Sequence, residues 1–178
     1  MKTRRAEGFA LIDLIFVVGM IALLCMIGMP RLLLAQQAAG SASAIGSMRA
    51  VSSGQLIFAL TCGAGFYAPK LTVLGTAPPG TRDGFVAESL GGADQVTRSM
   101  YIIRMVATPH PTAPASCNGL AGGLAGQAFK AGADPAQPGN PRFFATNANS
   151  QIFEHNATLY AVMPEVGQPP IGHPLEHR

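Results

Sequence analysis

One carboxylate, Asp13, stands inside the apolar run FALIDLIFVVGMIALLCMIGM, residues 9–29, and it is the only charge in those 21 residues. An unpaired acid at the centre of a bilayer costs at least about 2.5 to 3.5 kcal/mol on insertion scales, so an acid kept in such a run marks a function and needs a positive partner. Chemistry elsewhere in the chain is sparse. His110, His155, His173 and His177 share no metal-ligand spacing with Cys25, Cys62 and Cys117. His173 and His177 are four apart but sit in a proline-broken tail, and no C-x-x-C is present, so neither a zinc ribbon nor a redox dithiol is indicated. No serine lies in G-x-S-x-G and no G-x-x-x-x-G-K-[ST] loop occurs. The expectation is a protein that is not an enzyme, with no cofactor and no metal.

A helix over residues 9–29 rises about 30 Å, the hydrocarbon thickness of a bilayer, so the run is a candidate membrane span. Lys2, Arg4 and Arg5 precede it, and the positive-inside rule then leaves the amino terminus in the cytoplasm and exports the chain beyond Met29. Those three cations account for most of the formal charge of +3. Beyond residue 8, nine Lys/Arg face eight Asp/Glu with no basic block, which excludes nucleic-acid binding. A cleaved secretory signal could end at Ala42-Ser43-Ala44, but its apolar core should be only roughly 7 to 15 residues long and acid-free. A plain signal anchor fits the length and leaves Asp13 unexplained. The 178 residues suffice for one domain with a real core, and 21 Gly with 14 Pro make it rich in loops.

Arg4-Arg5-Ala6-Glu7-Gly8, followed by Phe9-Ala10-Leu11-Ile12-Asp13-Leu14-Ile15, resembles the class III signal of type IV pilins and type II secretion pseudopilins. The resemblance implies that a prepilin peptidase cuts between Gly8 and Phe9 on the cytoplasmic side and that the new Phe9 amine is N-methylated. Counted from Phe9, Asp13 is the fifth mature residue, where the family carries an acid, and Pro30 is the twenty-second, where many members carry a helix-kinking proline. The chain departs from the family in its acid, which is nearly always Glu. In the family the acid pairs with the amino terminus of a neighbouring subunit; Asp13, at i+4 from Phe9, lies one helical turn on and can face such a group. The two charges would then neutralise each other in a low-dielectric filament core.

The fold the resemblance implies is α+β, type IV pilin-like, with a long N-terminal helix packed on a small antiparallel β-sheet. Implied partners are other copies in a helical filament, the prepilin peptidase, the pilus or type II secretion assembly machinery, and the bacterial inner membrane before assembly. Residues 1–8 are then a leader peptide. A pilus subunit is the expectation and a type II secretion pseudopilin the alternative; a signal-anchored exported binding or enzymatic domain is the rival of another class.

The helix is expected to continue past Pro30 to residue 60, with Ile45, Met48, Ser52, Leu56 and Ala59 on one face and Gly40, Gly46 and Gly54 as places where it bends. Thr61-Cys62-Gly63-Ala64-Gly65 supplies stop signals. Next comes an exported domain over 61–163, with a short turn or helix over 68–75 and strands over 84–90, 98–108, 142–146, 151–155 and 158–163. Asn147-Ala148-Asn149-Ser150 reads as a hairpin turn, and without a carboxylate it gives no reason to expect calcium. Residues 109–141, dominated by Pro, Gly and Ala, read as a long loop, and 164–178 as a flexible tail. Cys25 reads as a small apolar residue of the membrane run. Cys62 and Cys117 lie in the exported part, where disulfides persist, and a bond between them is expected, with free or intermolecular thiols as the alternative.

Overall fold

A computed structural model describes the backbone of residues 6–175 and the side chains of residues 11–175. The expected leader, 1–8, falls mostly outside the described residues, as does His177. At Gly8 and Phe9 only the helical backbone is described. One helix, α1 (Ala6–Thr61), runs on through Pro30. Proline removes one backbone donor from the i→i−4 ladder, so the helix loses a bond there without ending. The chain divides into two compact units at Ala39/Gly40.

In the first unit every described side chain from 11 to 36 is exposed, including Leu11, Ile15, Leu23, Ile27 and Leu34.

The second unit is built on a six-stranded antiparallel meander whose spatial order follows the chain. Its strands are β1 (Gln95–Arg98), β2 (Tyr101–Val106), β3 (Lys130–Pro135), β4 (Phe143–Asn147), β5 (Ile152–His155) and β6 (His173–Pro174). Residues 40–61 of α1 cover one face of this sheet. Their buried positions Ala44, Met48, Val51, Gln55 and Phe58, with Cys62 just beyond, recur at alternating steps of four and three, one stripe of an α-helix. That stripe meets Tyr101, Ile103 and Met105 of β2, Ala131 and Ala133 of β3, and Phe144 of β4 in a single core. Of the face expected from the sequence, Met48, Ser52 and Ala59 are buried, whereas Leu56 is 51% exposed. The true stripe is centred one position away from the expected one, which turns Leu56 outward.

Of the three glycines expected to bend the helix, two serve close approach instead. A Cβ on Gly54 would meet Val86 Cγ1 at 2.6 Å and Phe85 O at 2.8 Å, and one on Gly40 would meet Ser99 O at 2.9 Å; Gly46 faces open space. Two short helices, α2 (Leu71–Gly75) and α3 (Glu88–Gly91), bury Leu71, Leu74 and Leu90 beside the sheet.

The structure corrects several strand expectations. Residues 84–90 form no strand; they lead into α3. The strand expected over 98–108 is present as β2, shortened to Tyr101–Val106 because Ser99 and Met100 turn the chain there, and β1 before that turn was not expected. The expected loop 109–141 contains β3, a strand paired on both sides. Residues 158–163 form a strap across the other face of the sheet, where Leu159 and Met163 bury against Ala145 and Phe153. The tail is docked as far as residue 175: β6 pairs with β5, and Leu175 N donates to Ile152 O.

Candidate functional site

The residues singled out for chemistry occupy two places. Asp13 and Pro30 lie on the exposed apolar half of α1, which is long and apolar enough to cross a membrane. Asp13 has no hydrogen bond or ion pair among the described residues. Cys25, also on this segment, is a free and exposed thiol. Its length and its nearly continuous apolar composition make this half of the helix a candidate membrane span.

The second place is the lower end of α1. Cys62 and Cys117 form a disulfide with a Cα–Cα distance of 4.9 Å. The helix stops there because Cys62 N and Gly63 N donate to Phe58 O at 2.9 and 2.7 Å, and Gly65, at φ +92°, donates to Ala59 O at 2.8 Å. Only glycine takes that backbone conformation without strain, which makes it the usual terminator. Cys117 N donates to Cys62 O at 3.2 Å, so the loop is fastened by backbone as well as by sulfur. The bond ties the loop between β2 and β3 to the helix, and Asn118 in that loop donates through Nδ2 to Val73 O at 2.7 Å.

Several polar groups that hold the folded unit together were not legible as candidates. Gln55, fully buried, donates through Nε2 to Ala68 O at 2.8 Å and accepts at Oε1 from Ala68 N at 2.9 Å. Asn147, also fully buried, donates to Pro164 O at 3.0 Å and to Gly167 O at 2.7 Å, which pins the strap to the hairpin turn. Glu165 accepts at Oε1 from Thr108 N and Oγ1, at 2.8 and 2.7 Å. Asn-rich turns and isolated acids are common on surfaces, so nothing in the sequence distinguished these.

Three ion pairs form among the described residues of the folded unit. Arg142 donates to both carboxylate oxygens of Glu154, at 2.5 and 2.8 Å. That pairing holds the Glu154 carboxyl below its usual value and raises the Arg142 guanidinium above its own. Lys70 does the same to Asp94, whose carboxyl is lowered chiefly by that hydrogen bond. Arg104 bonds Asp134 and lies 4.7 Å from the centre of the Tyr160 ring, and Thr158 Oγ1 donates to the same carboxylate. Burial pushes the Tyr160 hydroxyl up.

Among the described residues no group of three His, Cys, Asp or Glu side chains is placed to hold a metal ion. An open cleft of about 480 Å³ beside α2 and α3 is lined by Arg82, Asp83, Phe85 and Glu88 among others, with no histidine, cysteine or hydroxyl side chain. The arrangement offers a folded, disulfide-closed unit and an apolar helical segment whose acid lacks a partner among the described residues. No family model matches this chain, and neither a curated protein nor a solved structure matches it.

Proposed function

We propose that the protein is a structural subunit of a type IV pilus-like filament, cut after Gly8, N-methylated on Phe9, and assembled by packing its N-terminal helices against those of other copies. The observation that carries this reading is the apolar half of α1: it is exposed along residues 11–36 and carries Asp13 without a described partner. In the membrane, lipid covers that surface. In a filament, neighbouring helices cover it, and the Phe9 amine of another copy neutralises Asp13, so the pair enters the apolar core with its charge cancelled. Gly8 permits the cut, Phe9 supplies the amine, and Pro30 sets the bend. Identical subunits joined head to tail without ring closure give an open helix, the geometry of a fibre. The disulfide and the docked strap suit a domain that remains outside the membrane, where thiols are oxidised.

The test is intact-mass and N-terminal peptide mass spectrometry on protein recovered from its native membrane or from the sheared surface fraction. A chain that begins at methylated Phe9 supports the reading. A chain that begins at Met1, or after Ala44, overturns it and leaves the exported domain as the seat of function.

A further inference from the structure

We propose that Asn118-Gly119 is a modification site guarded by the Cys62–Cys117 disulfide: the intact bond keeps the asparagine unreactive, and its reduction lets Asn118 deamidate and release α2. All the residues involved belong to the folded unit, so the inference stands apart from how the protein is anchored or assembled. Of the five asparagines in the chain, only Asn118 precedes a glycine. Glycine has no side chain to shield its backbone nitrogen, which leaves that nitrogen free to approach the side-chain carbonyl before it. In the reaction Gly119 N gives up its proton and bonds Asn118 Cγ, the Cγ–Nδ2 bond breaks, and Nδ2 leaves as ammonia with that proton. Water then opens the cyclic imide to aspartate or isoaspartate. Water is the one co-reactant, and nothing is oxidised or reduced in this step.

The groups that would react are all engaged elsewhere. Gly119 N donates to Ser116 O at 3.3 Å, closing a four-residue turn in which Gly119 takes φ +91°. Ser116 Oγ donates to Asn118 Oδ1 at 2.5 Å. Asn118 Nδ2 donates to Val73 O at 2.7 Å and to Thr76 O at 3.2 Å, which latches the turn onto the end of α2. Ser116 is fastened in its turn: its N donates to Leu120 O at 2.9 Å, and its Oγ accepts from Leu120 N at 3.1 Å. With nucleophile and carbonyl held by separate partners, the reaction waits on local opening of the turn.

Cys117 sits inside that turn, between Ser116 and Asn118, so the disulfide controls the opening. It is an exposed residue, within reach of a soluble thiol. Reduction leaves hydrogen bonds, such as that from Cys117 N to Cys62 O at 3.2 Å, to hold the turn. Deamidation then makes the release permanent. The product has no Nδ2 donor, and its carboxylate faces the carbonyls of Val73 and Thr76, which lose the partner they had. A reversible thiol–disulfide change becomes an irreversible one, recorded in the covalent chain.

The test incubates the full detergent-solubilised chain at mildly alkaline pH. Peptide mass spectrometry gives the deamidation rate at Asn118, and hydrogen exchange is read on the same samples. The samples are the oxidised chain, the chain in reductant, Cys62→Ala with Cys117→Ala, and the chain in denaturant. Asn118 is expected to deamidate at least about tenfold faster in the reduced chain and the double variant than in the oxidised chain, while the amides of β3 and β4 stay protected. Asn118→Asp, made in the oxidised chain, is expected to speed exchange over residues 71–76. A reduced chain that deamidates as slowly as the oxidised one shows that the bond is not the guard and overturns the proposal. So does an oxidised chain that deamidates as fast as the denatured one. Faster deamidation accompanied by loss of protection in β3 and β4 is global unfolding, and it overturns the local guard as well. Unchanged exchange over 71–76 in Asn118→Asp overturns the release of α2.

Discussion

The two halves of α1 invert the usual relation between composition and burial. Residues 11–34 are almost wholly apolar and exposed, while residues 40–61 bury Ser41, Ser47, Ser52 and Gln55. The buried polar groups are satisfied: Ser41 and Tyr101 share a hydrogen bond at 3.0 Å, Ser52 and Thr146 share one at 3.3 Å, and Gln55 closes a reciprocal pair with Ala68. A water-facing helix keeps polar groups outside and an apolar stripe inside. The inner half of α1 departs from that rule only where hydrogen bonds compensate. The outer half departs without compensation, as a helix long and apolar enough to cross a membrane does.

The comparison breaks most sharply at Asp13. If filament assembly covers the outer half, Asp13→Ala should reduce sheared surface filament to below detection while leaving the folded unit's melting curve unchanged. Asp13→Glu should retain assembly. Removing an intramembrane acid makes insertion easier by about 2 kcal/mol or more on insertion scales, so an anchored monomer would show Asp13→Ala with full or improved membrane recovery and no lost phenotype. Quantifying surface filament and membrane-bound subunit together separates the two.

The disulfide should produce the next largest effect, and only in the folded half. Closing a loop with a sequence separation of 55 removes conformational entropy from the unfolded chain worth about 4 kcal/mol on the chain-entropy estimate. Cys62→Ala with Cys117→Ala is expected to lower unfolding free energy by up to that amount in denaturant titrations of the detergent-solubilised chain. Reductant should mimic the variant, and Cys25→Ala should not.

A paired substitution sharpens the contrast between the halves. Gln55→Leu leaves the N–H and carbonyl of buried Ala68 without partners, at a cost of about 2 to 3 kcal/mol in unfolding free energy. Leu24→Gln places the same amide on the outer half, where the side chain is 71% exposed. It should leave the folded unit's melting curve unmoved in detergent while lowering membrane insertion, read as the alkali-resistant fraction.

Legibility in the sequence obeys the same division. The outer helix was plain because its hydropathy is continuous, and the disulfide because two cysteines lie beyond the apolar run. The Asn147–Ser150 turn and the strands beside it were also visible, since Phe143-Phe144 and Ile152-Phe153 bracket a run of turn formers. β3 was not. Its sequence, Lys-Ala-Gly-Ala-Asp-Pro, has almost no strand propensity, because Ala131 and Ala133 must be small under the helix stripe and Gly132 must admit Tyr160. A Cβ on Gly132 would lie 2.8 Å from Tyr160 Cβ, so tertiary packing chose residues that local preference would reject. The strap misled in the opposite direction: Leu159, Ala161 and Met163 alternate as a strand would, yet Leu159 and Met163 bury against the outer face of the sheet from a run of turns. Asn147 was legible only as a turn residue and Glu165 not at all, because their partners lie far along the chain.

The smallest expected effect lies at the Arg142–Glu154 pair, which joins the start of β4 to β5. The Glu154 carboxyl is lowered chiefly by its hydrogen bond to Arg142, with burial opposing and the nearby His173 assisting. A carboxyl whose pKa is lower in the folded state stabilises the fold above its unfolded value of about 4.5. That contribution is lost as pH falls through the folded value. Arg142 remains 42% exposed, so screening holds the contribution to about 1 kcal/mol or less. Melting temperature followed from pH 6 to pH 3 should fall more steeply for the native chain than for Glu154→Gln, with the two curves converging at the acid end. An acid limb that Glu154→Gln leaves as steep as in the native chain would show that the pair adds nothing to the folded half at acid pH.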